Sequence, residues 1–174
     1  MDSQHGSQAG FSLVETIVAI GVLTVGTLGV AGVFTVGVQK TISSPVELLA
    51  TQKAAAAVES VFSARDSHMV TWAQLRNVSN GGIFLNGPQS MKVEGADGVV
   101  NTADDGAVET VVLPGRDQVL GTADDVTQTL NGYTREIRIT DLSDDLRQVT
   151  VIITYRMGGT LRSYTLTALI SSFA

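Results

Sequence analysis

The sequence predicts an α+β protein: one long N-terminal helix whose far half packs on an antiparallel sheet. Three observations carry this. From Thr16 to Val38 there are 23 residues without a charged side chain. Between Ser44 and about Arg65 apolar residues recur at helical spacing among polar ones. The C-terminal part then alternates apolar and polar residues with the period of two that marks half-buried strands.

The first 10 residues are small and polar. An ordinary secretory signal has a basic start, a short apolar stretch and a small-residue cleavage site, and this segment has no such stretch. The apolar run that follows is long enough, at about 1.5 Å per helical residue, to cross the ~30 Å hydrocarbon core of a bilayer. Glu15 stands at its front. A carboxylate beside lipid is costly and marks a partner or a function. Gly21, Gly26, Gly29, Gly32 and Gly37 punctuate the run. Small residues let helices approach closely in lipid and also weaken the helix locally.

Ser44-Pro45-Val46-Glu47 has the form of a capping box with proline at the first helical position, so it marks a helix start or a kink and restart. Leu48, Ala55, Val58 and Phe62 follow as an apolar stripe, with Gln52, Lys53 and Glu59 elsewhere on the helix. Residues 70–88 read as loop. Trp72, Leu75, Ile83 and Phe84 supply core or rim, and turns fall at Asn80-Gly81-Gly82 and Asn86-Gly87-Pro88.

Two near copies of one segment lie 20 residues apart: Gly95 to Asp105 and Gly115 to Asp125. Each keeps an aspartate, then after four residues a threonine, then after one more a pair of aspartates. Between Glu94 and Asp125 there are eight acidic residues and one basic, Arg116, so this stretch carries −7 against −6 for the whole chain. The acidity is therefore local. Calcium takes six to eight oxygen ligands, and Asp97, Asp104, Asp105, Asp117, Asp124 and Asp125 on glycine-containing loops are candidate Ca²⁺ ligands. The spacing is not that of an EF-hand. Solvated Asx turns at the ends of a duplicated hairpin explain the same residues. Alternation of Val108, Thr110 and Val112 with Glu109, Val111 and Leu113 places a strand between the copies.

Three strands close the chain, at Tyr133–Thr140, Arg147–Arg156 and Leu161–Ile170, the last two joined by a Met157-Gly158-Gly159-Thr160 hairpin. One face of this sheet is apolar and ready to receive the amphipathic helix.

Composition narrows the function. There is no cysteine, which excludes disulfides, thiolate metal sites and cysteine nucleophiles. The histidines are His5 and His68, and no nucleophile elbow is present, so no enzyme is expected. Net negative charge argues against nucleic acid as a partner.

Gly10-Phe11-Ser12-Leu13-Val14-Glu15 ahead of a long apolar helix resembles the N-terminal signal of type IV pilins and pseudopilins. The final strands resemble the ends of PilV-like minor pilins and of minor pseudopilins. The resemblance implies a pilin-like fold with residues 1–10 as prepilin leader, 11–43 as the transmembrane and filament-core half of the helix, and 44–174 as the globular pilin domain. That domain comprises an amphipathic helix over 44–65, acidic repeat loops over 95–125 and the sheet over 133–170. It implies a cut after Gly10 by a prepilin peptidase, N-methylation of Phe11 as the mature N-terminus, and a role in assembly for Glu15. Glu15 follows the new α-amino group by four residues and could neutralise that charge on a neighbouring subunit within an apolar filament core.

The function so implied is that of a structural minor pilin of a type IV pilus, priming assembly or contributing to adhesion. A type II secretion pseudopilin is the alternative, and a membrane-anchored calcium-dependent binding module is the alternative of another class. The implied partners are other pilins or pseudopilins through their N-terminal helices, the pilus or secretion assembly platform and the inner membrane. The implied location is a single pass in the bacterial inner membrane with the globular domain outside the cytoplasm, then a cell-surface or periplasmic filament. No cofactor is required, with Ca²⁺ as the candidate. Residues 1–10 contain no Lys or Arg, whereas Lys40 and Lys53 follow the apolar run. The positive-inside rule alone therefore favours the opposite orientation.

Overall fold

The computed structural model describes residues 12–173, and of residues 35–44 the backbone alone. The expected leader, residues 1–10 with Gly10, and the expected mature N-terminus Phe11 lie outside the described residues. Contacts divide the chain into two compact units at Ser44/Pro45.

One helix, α1, runs over Leu13–Asp66. Its start is fixed by Ser12, whose Oγ accepts the Glu15 N–H at 3.2 Å. This satisfies one of the orphan donors of the first turn. Glu15 falls in that turn, where a carboxylate complements the helix dipole. The S-x-x-E signature that marks a helix start is thus Ser12 to Glu15, and the one at Ser44 does not begin a helix. The helix passes through it with Pro45 inside. Proline lacks the N–H of one ladder bond and weakens the helix there.

Within the first unit, Leu13–Phe34 is a predominantly apolar span of 22 residues, none of them buried. Its threonine hydroxyls are self-satisfied: Thr24 Oγ1 donates to the Ile20 carbonyl at 2.7 Å and Thr27 Oγ1 to Leu23 at 2.9 Å. Such back-bonding leaves no side-chain donor to be paid for in an apolar medium.

In the second unit the helix buries Ala50, Ala54, Ala57, Val61 and Ala64. These are successive i+3 and i+4 positions, so they form one stripe. The expected stripe was out of phase: Leu48 and Ala55 are exposed, while Val58 and Phe62 are half-buried on its flank. Small alanines win the buried positions because they bring the helix axis close to the sheet.

The sheet has four strands in the order β1-β4-β5-β6, all antiparallel: β1 Gln89–Ser90, β4 Tyr133–Ser143, β5 Leu146–Met157 and β6 Thr160–Ser171. Its inner face supplies Ile137, Ile139, Val149, Val151, Ile153, Tyr155 and Ile170 to the core beside the helix stripe. Gly158 and Gly159 both take positive φ, 57° and 82°, in the two-residue turn between β5 and β6. Only glycine does this without strain, and that fixes the register Met157↔Thr160. Leu75 and Phe84 enter the core, with Trp72 and Ile83 partly covered.

A further two-stranded sheet pairs β2, Thr110–Leu113, with β3, Val126–Thr129. Neither β1 nor β3 has an alternating apolar pattern long enough to be read from sequence. The outer edge of β4 is closed beyond β1 by a side chain. Asn77 Nδ2 donates to the Ile137 carbonyl at 2.8 Å, and Asn77 Oδ1 accepts the Ile139 N–H at 2.8 Å. The amide group thus makes the two bonds a neighbouring strand would make.

Candidate functional site

The features that carry function fall in each unit separately. In the first, Glu15 is exposed at the head of an exposed apolar helix. A Cβ added at Gly21, Gly26, Gly29 or Gly32 would meet nothing within 4 Å. Packing within the described chain therefore does not require these glycines. Their smallness is available to other helices.

In the second unit, the two acidic segments form loops of the same build. Loop 1 (95–105) precedes β2 and loop 2 (115–125) joins β2 to β3. The Asp97 and Asp117 carboxylates accept the N–H of Val99 and Val119 at 3.0 and 2.9 Å. Asp104 and Asp124 accept the N–H of Asp97 and Asp117 across the loop at 3.2 and 3.3 Å. Asp105 and Asp125 accept the N–H of Asn101 and Gly121 at 2.8 and 2.6 Å.

Backbone conformation repeats as well. Positive φ occurs at Gly98 and Gln118 (68° and 58°) and at Asn101 and Gly121 (67° and 91°). A Cβ on Gly95 would collide with the Asp104 carboxylate, and one on Gly115 with that of Asp124. Glycine is needed there for close approach.

These bonds set the charge states. The Thr102 hydroxyl donates to Asp104 at 2.6 Å and holds its carboxyl below the ordinary 3.8, with backbone N–H groups helping. The Thr122 hydroxyl does the same for Asp124 at 2.7 Å. Burial pushes Asp105 the other way, above 3.8, against the backbone bonds it accepts. Asp125 Oδ1 is buried without a hydrogen-bond partner, whereas the matching oxygen of Asp105 accepts from Thr102. The Asx-turn reading accounts for the hydrogen bonds seen. Among the described residues no group of three or more His, Asp or Glu side chains stands arranged to hold a metal ion.

Sequence reasoning passed over a buried charge network that anchors loop 1. Arg135 of β4 donates from Nη1 to Glu109 Oε1 at 2.9 Å, from Nε to Asn101 Oδ1 at 2.8 Å and from Nη2 to the Lys92 carbonyl at 2.8 Å. Asn101 Nδ2 returns a bond to the Arg135 carbonyl at 2.7 Å. Lys53 on α1 reaches Glu109 Oε2 at 2.5 Å. Glu109 is thus shared by two cations and adds nothing to the free acidity of the loops. Lys53, Glu109 and Arg135 line an open cleft of about 260 Å³ with Glu94 and Ser60.

Arg147 is the second buried arginine. It stacks on Trp72 at 4.0 Å, pairs with Asp141 at 2.5 Å, and donates to the carbonyls of Trp72 and Leu75. Burial would raise the Asp141 carboxyl, but Arg147 and Arg76 outweigh it and hold it below 3.8. A signal for both arginines existed: Arg135 is in phase with Ile137 and Ile139, and Arg147 with Val149 and Val151.

Comparison with known proteins bears on the first unit. Residues 5–31 match the family described as the prokaryotic N-terminal methylation motif. The chain therefore carries the signature of type IV pilins and pseudopilins, on an α+β arrangement of pilin-like form. No curated protein and no solved structure matches the chain. The motif implies processing by a prepilin peptidase and assembly with other pilins, and the apolar helix is consistent with membrane anchoring.

Proposed function

We propose that this chain is a structural minor pilin of a type IV pilus, of PilV-like type, rather than an enzyme. A prepilin peptidase cuts after Gly10, and Phe11 becomes the methylated N-terminus. The helix holds the chain in the inner membrane with its second unit outside the cytoplasm, until the assembly platform draws it into a filament. The observation that supports this best is the sequence Gly10 to Glu15 set at the head of a 22-residue exposed apolar helix. A helix bare on every side has its partners outside the chain: lipid first, then like helices. Glu15 then meets the α-amino group of a neighbouring Phe11, where an unpaired charge would be costly.

The test is intact mass and N-terminal sequencing of the chain from cells with and without the prepilin peptidase. A mature chain beginning at Phe11, one methyl heavier and dependent on that enzyme, is the expected result. An uncut chain, or a cut beyond Val38, overturns the reading. Recovery of the mature chain in sheared surface filaments is expected of a pilus component. Recovery only as a factor needed for protein secretion assigns it to a pseudopilin instead.

A further inference from the structure

The two edges of the main sheet are treated differently. Beyond β4 the edge is closed by β1 and by the Asn77 amide. β6 forms the other edge, and among the described residues no further strand pairs with it. The two-residue turn makes Met157 and Thr160 a hydrogen-bonded pair, so the even-numbered residues of β6 bond to β5 and the odd-numbered ones aim N–H and C=O outward. The far end agrees. Ser172 N–H donates to the Asp145 carbonyl at 2.9 Å, whereas the Ser171 carbonyl faces away and accepts from Arg65 at 2.8 Å. From Leu161 to Leu169 no other bond reaches the outward row among the described residues.

That row reads alike in both directions. About Thr165 as centre, Ser163 mirrors Thr167 and Leu161 mirrors Leu169. The two leucines stand on the solvent face, 63% and 55% exposed. The row holds no charge, and β6 has neither a proline nor a register shift of the kind that blunts an edge. The one charged residue of β6, Arg162, is on the other face and mirrors Ala168. On that same face Tyr164 mirrors Leu166, and the core covers both only in part.

We propose that β6 of one copy of this chain pairs antiparallel with β6 of a second copy, Thr165 opposite Thr165, Ser163 opposite Thr167 and Leu161 opposite Leu169. In this register every outward donor faces an outward acceptor, and each opposed pair exchanges both backbone bonds. Tyr164 falls beside Leu166 of the second copy in the closer, non-hydrogen-bonded position, where each covers the other. The contact uses the same surface on both copies, so it closes as a dimer. Its dyad stands normal to the sheet and reverses every direction in the sheet plane. The helix segments over residues 45–66 therefore run in opposite directions, which suits copies on two filaments lying antiparallel. This setting rests on the filament reading above, whereas the pairing itself needs only the second unit.

The chain has no cysteine, so engineered cysteines report alone. The full chain is expressed in cells with the peptidase, purified in detergent and mildly oxidised, and the intact mass of the same sample reads its processing. Thr165→Cys alone is expected to give disulfide-linked dimers, since opposed Cα atoms about 5.5 Å apart are within bridging distance. Ser163→Cys and Thr167→Cys are each expected to stay monomeric, because like positions then lie about 14 Å apart along the strand, and to cross-link when mixed. Thr167→Pro removes an outward N–H and no bond to β5, so it should abolish the Thr165→Cys dimer. A Thr165→Cys chain that stays monomeric overturns the pairing. So do Ser163→Cys and Thr167→Cys chains that cross-link alone as readily as mixed, which is the result of association through the apolar helices. A chain cut after Gly10 that gives no dimer overturns the pairing and leaves the maturation reading standing. A dimer of the stated register from an uncut chain supports the pairing and overturns that reading.

Discussion

Asn101 and Arg135 exchange two hydrogen bonds, Asn101 Nδ2 to the Arg135 carbonyl at 2.7 Å and Arg135 Nε to Asn101 Oδ1 at 2.8 Å. A loop residue in left-handed conformation is thereby tied to a central strand. The same arginine neutralises Glu109, so loop 1, β2 and β4 depend on one guanidinium. Arg135→Ala would leave Glu109 with Lys53 alone and strip Asn101 of its partner. The expected loss is about 3–5 kcal/mol, the range for breaking a buried ion pair. Denaturant unfolding of the full chain in detergent measures it, and a loss under about 1 kcal/mol would show that the network is dispensable.

The two loops allow an internal control. Asn101→Gly keeps the positive φ permitted and removes the side chain, so the cost is that of the two bonds, about 1–3 kcal/mol with Arg135 left underpaired, together with the greater freedom of glycine in the unfolded chain. Gly121→Asn at the matching position of loop 2 has open space for its side chain but places it at φ 91°, so its effect should be the backbone strain alone, with no bond lost. Equal effects at the two positions would contradict the anchoring role of loop 1.

Acid stability follows from the carboxylates. Asp104, Asp124 and Asp141 have folded values below the ordinary 3.8. Their contribution is complete above 3.8 and is lost as pH falls through the depressed values. Asp105 is raised, so it opposes folding above its raised value, and that opposition disappears when it is protonated. A thermal midpoint that is flat at higher pH and drops below 3.8 is expected. Thr102→Val removes the hydroxyl that holds Asp104 down, brings its folded value back toward 3.8 and should make the drop shallower, with less stability to lose. An unchanged drop would assign it to other groups.

Calcium gives a separate test of the loops. Both oxygens of Asp104 and Asp124 already accept hydrogen bonds. These bonds already hold the loop backbones in place, so millimolar Ca²⁺ is expected to leave the thermal midpoint where equal Mg²⁺ leaves it. A calcium-specific rise, abolished by Asp125→Asn, would instead make loop 2 an ion site.

Ser12 and Glu15 separate helix start from assembly. Ser12→Ala removes the cap of α1 at a cost of about 1 kcal/mol to the first turn, with the cut after Gly10 retained. Glu15→Ala keeps the cap oxygen but removes the carboxylate proposed to meet the α-amino group of a neighbouring subunit. The expected result is a processed chain that no longer enters filaments, read by mass and by the sheared surface fraction. Normal entry would remove Glu15 from assembly.

The sequence by itself determined the apolar helix, the three long strands, the β5–β6 turn and the loop duplication. Each rests on local pattern: an unbroken apolar run, alternation along a strand, paired glycines, or a repeated string. The methylation motif matched over residues 5–31 was legible for the same reason, because such a signal is read along the chain. Tertiary structure decided which helix stripe is buried, because Ala54 and Leu48 compete on closeness of approach to a sheet that the local sequence does not contain. It also decided that two like loops have unlike fates. Asn101 finds Arg135 and is buried with its apolar neighbours, whereas Gly121 has no side chain to tie and leaves Val119 and Leu120 at the surface.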